Sequence, residues 1–254
     1  MNAGTLYVVG LGPGGAEYLT GEARDAIAGS TAFFGYGPYL DRLDLAPHQR
    51  RIASDNREEL LRARAALDCA VAGETACIVS GGDPGVFAMA AAVCEAIEAG
   101  PEAYRAVDLR VVPGITAMLA AAARVGAPLG HDFAAISLSD NLKPWALIEK
   151  RLRLVAQAGM AMALYNPVSK ARPHQLGTAL DVLRDVLPGS APVIFARAVG
   201  RPDERIALTT LAEADPAQAD MATCILIGSP ETRVVARPGM SPLVYTPRAA
   251  GERP

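Results

Sequence analysis

Cysteine and histidine are scarce in this chain, and the few that occur stand far apart. Its 254 residues include 4 cysteines and 3 histidines, and no two cysteines form a C-x-x-C pair. Zinc sites need clustered ligands, and disulfide frameworks are typical of short secreted chains rich in cysteine, so neither is predicted. We therefore expect no metal site, and small buried thiols at the four cysteine positions, which are Cys69, Cys77, Cys94 and Cys224.

The chain also lacks an excess of basic residues and long apolar runs. A formal net charge of -3 gives no support for nucleic acid as a partner. The uncharged stretch 111–123 is interrupted by Pro113-Gly114, well short of the roughly 20 apolar residues that span a bilayer. Residues 1–20 lack the basic segment and apolar core of a secretory signal. We therefore expect a cytoplasmic globular protein that binds neither nucleic acid nor membrane.

What the chain does contain is a regular alternation of strand-like and helix-like segments. Apolar runs predict strands at 5–10, 31–34, 75–80, 107–112, 133–138, 160–165, 192–198 and 222–228. Helical periodicity predicts helices at 20–28, 57–72, 85–99, 115–125, 144–157, 173–187 and 209–214, with Ser54 or Asn56 capping the second. This alternation is typical of α/β proteins, in which helices cover both faces of a parallel sheet.

A new alternation begins after Pro113-Gly114, which favours two α/β domains. We predict an N-terminal domain over residues 1–113 with a mostly parallel sheet. The C-terminal domain, over residues 114–240, is predicted to have a mixed sheet, because segments 192–198 and 204–208 are close enough to pair antiparallel. Residues 241–254 are predicted to be a mostly irregular tail with at most one extra strand, at 243–245.

Three of the predicted strands end in turns of small residues, at 10–15, 81–85 and 113–117. In an open parallel sheet the loops after the strand carboxyl ends meet along one edge, where ligands bind. Small residues there leave backbone N–H groups accessible. The pattern therefore favours a platform for a flat or extended small molecule.

The first turn formally matches the dinucleotide fingerprint, as Gly10-x-Gly12-x-x-Gly15. That fingerprint needs an acidic residue at the end of the second strand, and none occurs there before Asp41. A strand-to-helix turn without ligand contact explains this motif equally well. An NAD(P)-dependent dehydrogenase and a non-catalytic nucleotide-binding regulator remain alternatives at this point.

The three motifs taken in order resemble the tetrapyrrole (class III) methyltransferases, and the likeness runs over nearly the whole chain. The motifs are Gly10-Leu11-Gly12-Pro13-Gly14, Ser80-Gly81-Gly82-Asp83-Pro84 and Pro113-Gly114-Ile115-Thr116-Ala117. Segments 131–140, 164–173 and 232–235 are similar to one branch of that family. That branch methylates carbon 17 of precorrin-3B and contracts the macrocycle to precorrin-4 during cobalamin biosynthesis.

The resemblance implies a homodimer of two-domain α/β subunits that binds S-adenosylmethionine in a cleft between its domains. Loop 12–14 is then expected to face the tetrapyrrole substrate through Gly12, Pro13 and Gly14. Asn166 stands where sister enzymes have methionine. Carried onto this chain, the cofactor contacts are Gly81, Gly82, Asp83, Val86, Thr116, Ala117, Asn166, Ala198 and Thr223.

Ring contraction requires a proton to be moved, so acid or base groups are expected near the macrocycle. The candidates are His131, Asp132, Ser139 and Asp140, of which His131 has the pKa best suited to neutral pH. For the two aspartates, turn or capping chemistry is the favoured explanation.

The substrate's carboxylates call for local positive charge, and its flat ring for aromatic contact. Lys143, Lys170 and Arg172 are the main cationic candidates, with Arg197 and Arg201 as further options; a solvated surface position is the alternative for each. Trp145 and Tyr165 could stack on the macrocycle or lie in the core. The sequence also leaves open the anaerobic counterpart acting on cobalt-factor III, and a sister corrinoid or sirohaem precursor methyltransferase.

Overall fold

The computed structural model describes residues 3–55 and 57–249. The chain divides into two compact units, Met1–Ala117 and Met118–Pro254, and each contains a five-stranded sheet. None of the helices in the described residues is both long enough and apolar enough to cross a membrane.

The first unit is built on a sheet in which every strand runs parallel to its neighbours. In sheet order the strands are β3 (Arg50–Ser54), β2 (Ala32–Tyr36), β4 (Ala76–Ser80), β1 (Thr5–Gly10) and β5 (Asp108–Val112). The predicted parallel sheet is therefore confirmed. Its helices are α1 (Gly21–Gly29), α2 (Gly37–Leu40), α3 (Glu59–Val71) and α4 (Met89–Ala99), with short 3-10 turns at Ala16–Tyr18 and Glu102–Ala106.

Helices cover both faces of this sheet, as its central strands require. β4 is buried at all five positions, which is typical of a strand in the middle of a parallel sheet. Ile78 of β4 belongs to one apolar cluster with Leu67 of α3 and Val93 of α4. Val79, which points to the opposite face, belongs to another cluster with Ala26 of α1. Burial of two separate apolar faces thus holds β4 in place.

The second unit has a mixed sheet of order β10 (Arg205–Thr210), β9 (Pro192–Arg197), β11 (Thr223–Ile227), β8 (Ala161–Tyr165) and β7 (Phe133–Ser137). β7 and β8 are parallel, and the other neighbours are antiparallel. The mixed sheet, including the antiparallel pairing of segments 192–198 and 204–208, is confirmed. Helices α6 (Trp145–Gln157) and α7 (Gln175–Arg184) share one core with the sheet, α5 (Ala117–Val125) comes before it in the chain, and a 3-10 turn lies at Pro216–Gln218.

A small third sheet ties the C-terminal residues to the beginning of the second unit. It pairs β12 (Arg233–Arg237) with β13 (Met240–Tyr245), and β13 with β6 (Gly126–Ala127). Just after β13, the Thr246 hydroxyl donates a hydrogen bond of 2.5 Å to the Pro128 carbonyl. The extra strand considered at 243–245 is thus present; residues 250–254 of the predicted tail lie outside the described residues.

Two local predictions were wrong. The helix at 209–214 is not formed, because Thr209 and Thr210 instead complete β10 by pairing with Val193 and Pro192. Ser54 does not cap α3 but ends β3, and the cap position is Glu58, whose side chain makes no capping bond. The alternative cap, Asn56, lies outside the described residues.

The cysteines are unpaired, but they do not share one environment. Cys77 and Cys224 are buried, and burial raises the pKa of each thiol to about 12. Cys69 is half-buried and Cys94 is exposed on α4, so the expectation of four buried thiols was wrong for these two. In the described residues, no group of three or more His, Cys, Asp and Glu side chains could hold a metal ion.

The segment after Pro113 stays with the first unit, whose last residue is Ala117. The backbone nitrogen of Gly114 donates a hydrogen bond of 3.0 Å to the Asp83 carboxylate. This bond holds the chain beyond residue 113, where the sequence placed the boundary, against the turn that follows β4.

Candidate active site

The three small-residue turns of the first unit lie side by side. β1 is the neighbour of both β4 and β5, and all three strands point the same way. Gly12 and Gly82 exchange backbone hydrogen bonds of 3.1 and 3.0 Å. The turns therefore form one surface at the carboxyl edge of the sheet, as the sequence predicted.

Glycine is required in these turns because their backbones touch. A Cβ on Gly10 would lie 2.6 Å from the Gly82 carbonyl oxygen, and one on Gly114 would lie 2.2 Å from the same oxygen. Gly82 itself has a φ of +67°, a left-handed conformation that glycine adopts without strain. The chain's own backbone thus fills part of the space beside these glycines.

Asp83 links two of the turns rather than capping a helix. One carboxylate oxygen accepts a hydrogen bond of 2.8 Å from the Gly85 nitrogen, and the other accepts the bond from Gly114. α4 begins only at Met89, so Asp83 does not cap it. Each oxygen keeps a further lone pair with which it can accept a bond from a ligand.

The cofactor candidates next to Asp83 differ in how accessible they are. Gly81 and Gly82 are half-buried, and so are Val86 and Ala117. Thr116 is only 5% exposed, so it offers little surface to a ligand. The Cα of Thr116 would lie 3.6 Å from a Cβ on Gly82, which places these two turns in van der Waals range.

Arg42 organises the first turn, and sequence reasoning missed it. One nitrogen of its guanidinium donates to the carbonyls of Leu11 at 2.8 Å, Gly12 at 3.0 Å and Gly14. Arg42 lies in an irregular segment after α2 and belongs to no motif, so no sequence signal identified it. It adds positive charge beside the loop that contains Gly12, Pro13 and Gly14.

In the second unit, one edge of the sheet collects five of the predicted site residues. β7, β8 and β9 run in one direction and β11 in the other, so three strand ends and one strand start share this edge. Asn166 and Ala198 follow β8 and β9 with φ of +53° and +49°, which non-glycine residues rarely adopt. The residues at this edge are Ser139, Asp140, Asn166, Ala198 and Thr223.

The polar groups at this edge are largely bonded to one another. The Asn166 side chain donates a hydrogen bond of 2.9 Å to the Ser137 hydroxyl. The same hydroxyl accepts a hydrogen bond of 3.3 Å from the Ser139 nitrogen. The Thr223 hydroxyl donates a hydrogen bond of 2.9 Å to the Asp220 carboxylate, and Thr223 is only 4% exposed. A ligand at this edge would therefore meet mainly backbone groups and the exposed side of Asn166.

Asp140 forms a cluster with residues of the loop that follows β8. Gln175 donates a hydrogen bond of 3.2 Å to one carboxylate oxygen, and the Arg172 guanidinium lies 3.9 Å from the other. The Arg172 side chain is only 13% exposed, so the solvated-surface alternative was wrong for it. Lys170, in contrast, is exposed at the tip of the turn that Ser169 and Arg172 close.

His131 and Asp132 lie at the opposite end of β7 from Ser139 and Asp140. Strand residues Phe133–Ser137 separate the two pairs, a span of about 16 Å at 3.3 Å per residue. The Asp132 backbone nitrogen donates a hydrogen bond of 2.7 Å to His131 Nδ1, so Nδ1 acts as an acceptor. The structure therefore does not bring the four catalytic candidates together.

The remaining candidates have partners within the second unit. Arg197 forms ion pairs with Asp203 and Asp220 at 2.6 and 2.7 Å, and Trp145 packs against the apolar core. The Tyr165 hydroxyl accepts a hydrogen bond of 2.9 Å from the Met118 nitrogen.

Lys143 is half-buried, and burial, with the nearby charge of Arg151, lowers its pKa. The backbone of Arg201 bonds to Ala198.

Comparison with known proteins identifies relatives over nearly the full chain. A Sinorhizobium protein named precorrin-3B C(17)-methyltransferase is 67% identical over 245 residues, 96% of each chain. A Salmonella typhimurium protein named probable cobalt-factor III C(17)-methyltransferase is 35% identical and covers 95% of this chain and 99% of its own. The crystal structure of the methyltransferase CobJ superposes with a TM-score of 0.92 at 49% identity, over 96% of this chain and all of that one.

More distant structures share the fold. Uroporphyrin-III C-methyltransferase from Thermus thermophilus, solved with S-adenyl homocysteine, has a TM-score of 0.69 at 24% identity over 89% of this chain and 97% of its own. Residues 5–215 match the family model of the tetrapyrrole (corrin/porphyrin) methylases. Together with the close relatives, this match shows that the chain belongs to the tetrapyrrole methylases.

Proposed function

We propose that this protein transfers a methyl group from S-adenosylmethionine to carbon 17 of precorrin-3B and contracts the macrocycle to give precorrin-4. The observation that carries the proposal is the similarity to the Sinorhizobium protein named precorrin-3B C(17)-methyltransferase, which is 67% identical over 96% of both chains. At such identity and coverage, the substrate of the relative is the first substrate to test.

The edge of small residues in the first unit fits a methyl donor held mainly by backbone groups. Gly81 and Gly82 present main chain without side-chain bulk, and both carboxylate oxygens of Asp83 retain lone pairs. When bound, S-adenosylmethionine supplies a methyl group activated by its sulfonium sulfur. Gly81, Gly82, Asp83, Val86, Thr116 and Ala117 would hold it at this edge, and the family resemblance adds Asn166, Ala198 and Thr223 as cofactor contacts.

Methyl transfer to carbon needs alignment and exclusion of water more than a strong base. The turns supply alignment because their own hydrogen bonds fix them: Gly12 to Gly82, Asp83 to Gly114 and Arg42 to the first turn. The chain thus offers a preformed edge that requires little ordering when substrate binds, although Gly12, Pro13 and Gly14 are themselves buried and present little surface to a macrocycle.

Ring contraction additionally needs a group that accepts or donates a proton. We favour Asp140, with Ser139 beside it, because both share an edge with Asn166 and Ala198. Arg172 and Gln175 hold the Asp140 carboxylate, so Arg172 would serve to orient that group. Lys143 and Lys170 would then provide positive charge for the substrate carboxylates.

The test of the proposal is product analysis by mass spectrometry. The purified protein with S-adenosylmethionine should convert precorrin-3B to a methylated, ring-contracted product. Cobalt-factor III is the second candidate, favoured by the relatives that carry its name. If the protein converts cobalt-factor III and not precorrin-3B, cobalt-factor III replaces the proposed substrate. If calorimetry shows that the protein binds NADH and does not bind S-adenosylhomocysteine, the proposed reaction class is wrong.

We also propose that the enzyme acts as a cytoplasmic homodimer, as the family resemblance implies. Light scattering of the purified protein should give twice the chain mass at micromolar concentration. A mass equal to that of one chain would contradict the dimer without affecting the proposed reaction.

A further inference from the structure

Ala198 occupies a backbone conformation that its side chain disfavours. It follows β9 with a φ of +49° and is 4% exposed. For an L-residue other than glycine, this left-handed region is disfavoured because it brings Cβ too close to the following carbonyl oxygen. Such a conformation persists only where surrounding contacts hold it, and it is often found at ligand sites.

Ala198 begins the loop that joins β9 to β10, and backbone bonds close this loop on itself. The Ala198 nitrogen donates 2.9 Å to the Ala222 carbonyl, and the Arg201 nitrogen donates 3.0 Å to the Ala198 carbonyl. The Glu204 nitrogen in turn donates 3.0 Å to the Arg201 carbonyl. Two of these bonds tie Arg201, in the middle of the loop, to its two ends, and the neighbouring Gly200 also has a positive φ of +76°.

The Glu204 carboxylate bonds to the middle of the loop and to a helix at the same time. One oxygen accepts a hydrogen bond of 2.6 Å from the Gly200 nitrogen and another of 3.1 Å from the Arg124 guanidinium. The other oxygen accepts a hydrogen bond of 2.7 Å from the same guanidinium. Arg124 lies in the last turn of α5, so this two-point ion pair ties the loop to that helix. The Glu204 side chain is 26% exposed, which places the pair away from full solvent screening.

We propose that Glu204, held by Arg124, is a positioning residue that keeps Ala198 in its left-handed conformation for cofactor binding. The inference rests on the proposed function, in which the Ala198 backbone contacts S-adenosylmethionine. Glu204 itself touches the loop and not the cofactor. Its loss therefore weakens cofactor binding through the backbone of Ala198.

The test compares four proteins by calorimetric titration with S-adenosylhomocysteine: wild type, Glu204→Ala, Ala198→Gly and the double variant. Glu204→Ala is expected to weaken binding about tenfold, while Ala198→Gly changes it little. Because glycine adopts this φ without a side-chain clash, the double variant is expected to recover most of the lost affinity. Glu213→Ala, an exposed glutamate of the same unit, is the matched control and should bind as wild type does.

The rescue by glycine is the readout that a merely structural ion pair would not produce. Wild-type affinity in Glu204→Ala, or an equal loss in the single and double variants, would overturn the inference. Should Glu204→Ala fail to fold, Arg124→Lys keeps the charge but loses the two-point geometry, and about threefold weaker binding is expected; unchanged binding would contradict the role. If wild type itself does not bind S-adenosylhomocysteine, the proposed function fails and this inference with it.

Discussion

The Asp83 carboxylate accepts a hydrogen bond of 3.0 Å from the backbone nitrogen of Gly114, across two different turns of the first unit. Its second oxygen accepts from the Gly85 nitrogen, so one side chain sets the geometry of the turns after β4 and β5. Because Gly82 and Thr116 lie in these two turns, the spacing of the proposed cofactor contacts depends on Asp83.

We predict that Asp83→Asn lowers both stability and affinity for S-adenosylhomocysteine. An asparagine amide can accept one of the two N–H groups but presents its own N–H to the other, which leaves a donor unpaired at a cost of about 1–3 kcal/mol. Thermal unfolding and calorimetry would measure the two effects. Asp25→Asn, at an exposed position of α1, is the control. Normal stability and affinity in Asp83→Asn would show that the link between the turns is dispensable.

Gly114→Ala should be among the most destabilising single changes in the first unit. The added Cβ would lie 2.2 Å from the Gly82 carbonyl oxygen, a backbone atom that cannot rotate away. We expect a loss of about 3 kcal/mol or more, in the range of severe packing defects. Gly29→Ala, where a Cβ meets nothing within 4 Å, should leave stability unchanged or raise it slightly. Denaturant unfolding of both variants decides the matter, and equal stabilities would contradict the close-contact argument.

Site residues that belong to a sequence motif could be predicted, whereas residues that belong to no motif could not. The three turns and their shared edge followed from apolar runs that end in small residues, and the structure confirms their meeting through Gly12 and Gly82. Arg42 gave no such signal, since its three acceptors are backbone carbonyls distant along the chain. Strand β3 was missed because it begins with two arginines and is largely exposed at the edge of the sheet, so it has no apolar run.

The separation of the catalytic candidates follows from a strand that the sequence itself predicts. His131, Asp132, Ser139 and Asp140 lie within ten residues of one another, but the strand predicted at 133–138 stands between the two pairs. A strand between them carries the two pairs to opposite ends, because an extended chain advances about 3.3 Å per residue. The predicted strand alone was thus enough to divide the four candidates into two pairs, although all four had been assigned to one macrocycle site.

Replacing Arg42 should affect tetrapyrrole binding more than cofactor binding. Arg42→Lys retains the charge but cannot reproduce the guanidinium contacts with three carbonyls, so the loop containing Gly12 and Gly14 loses its fixed shape. We expect the KM for precorrin-3B to rise about tenfold, while the affinity for S-adenosylhomocysteine stays within twofold of wild type. Arg57→Lys, at an exposed position, should change neither. An equal loss of both affinities would show that Arg42 supports the whole edge instead.

Asp140→Asn and His131→Ala should separate the two ends of β7. If the proton transfer of ring contraction takes place at the edge with Asn166, Asp140→Asn should slow formation of the contracted product at least tenfold while methyl transfer continues. His131→Ala should leave the ratio of methylated to contracted product unchanged. Mass spectrometry of the products reads both outcomes, and the reverse pattern would place the acid or base at His131.

Stability should fall in acid partly through Asp220, whose carboxylate joins the end of β9 at Arg197 to the start of β11 at Thr223. Burial acts to raise the pKa of Asp220, but hydrogen bonds from Arg197, Thr223 and the Ala222 nitrogen outweigh it, so the pKa is lowered. A carboxylate with a lowered pKa stabilises the folded state above its unfolded pKa of about 3.9, and this contribution is lost as the pH falls through the folded value. Asp220→Asn should therefore lower the melting temperature by about 2 °C or more at pH 7 and by progressively less below pH 4. A difference between the two proteins that does not shrink in acid would show that the charge of Asp220 is not what stabilises this edge.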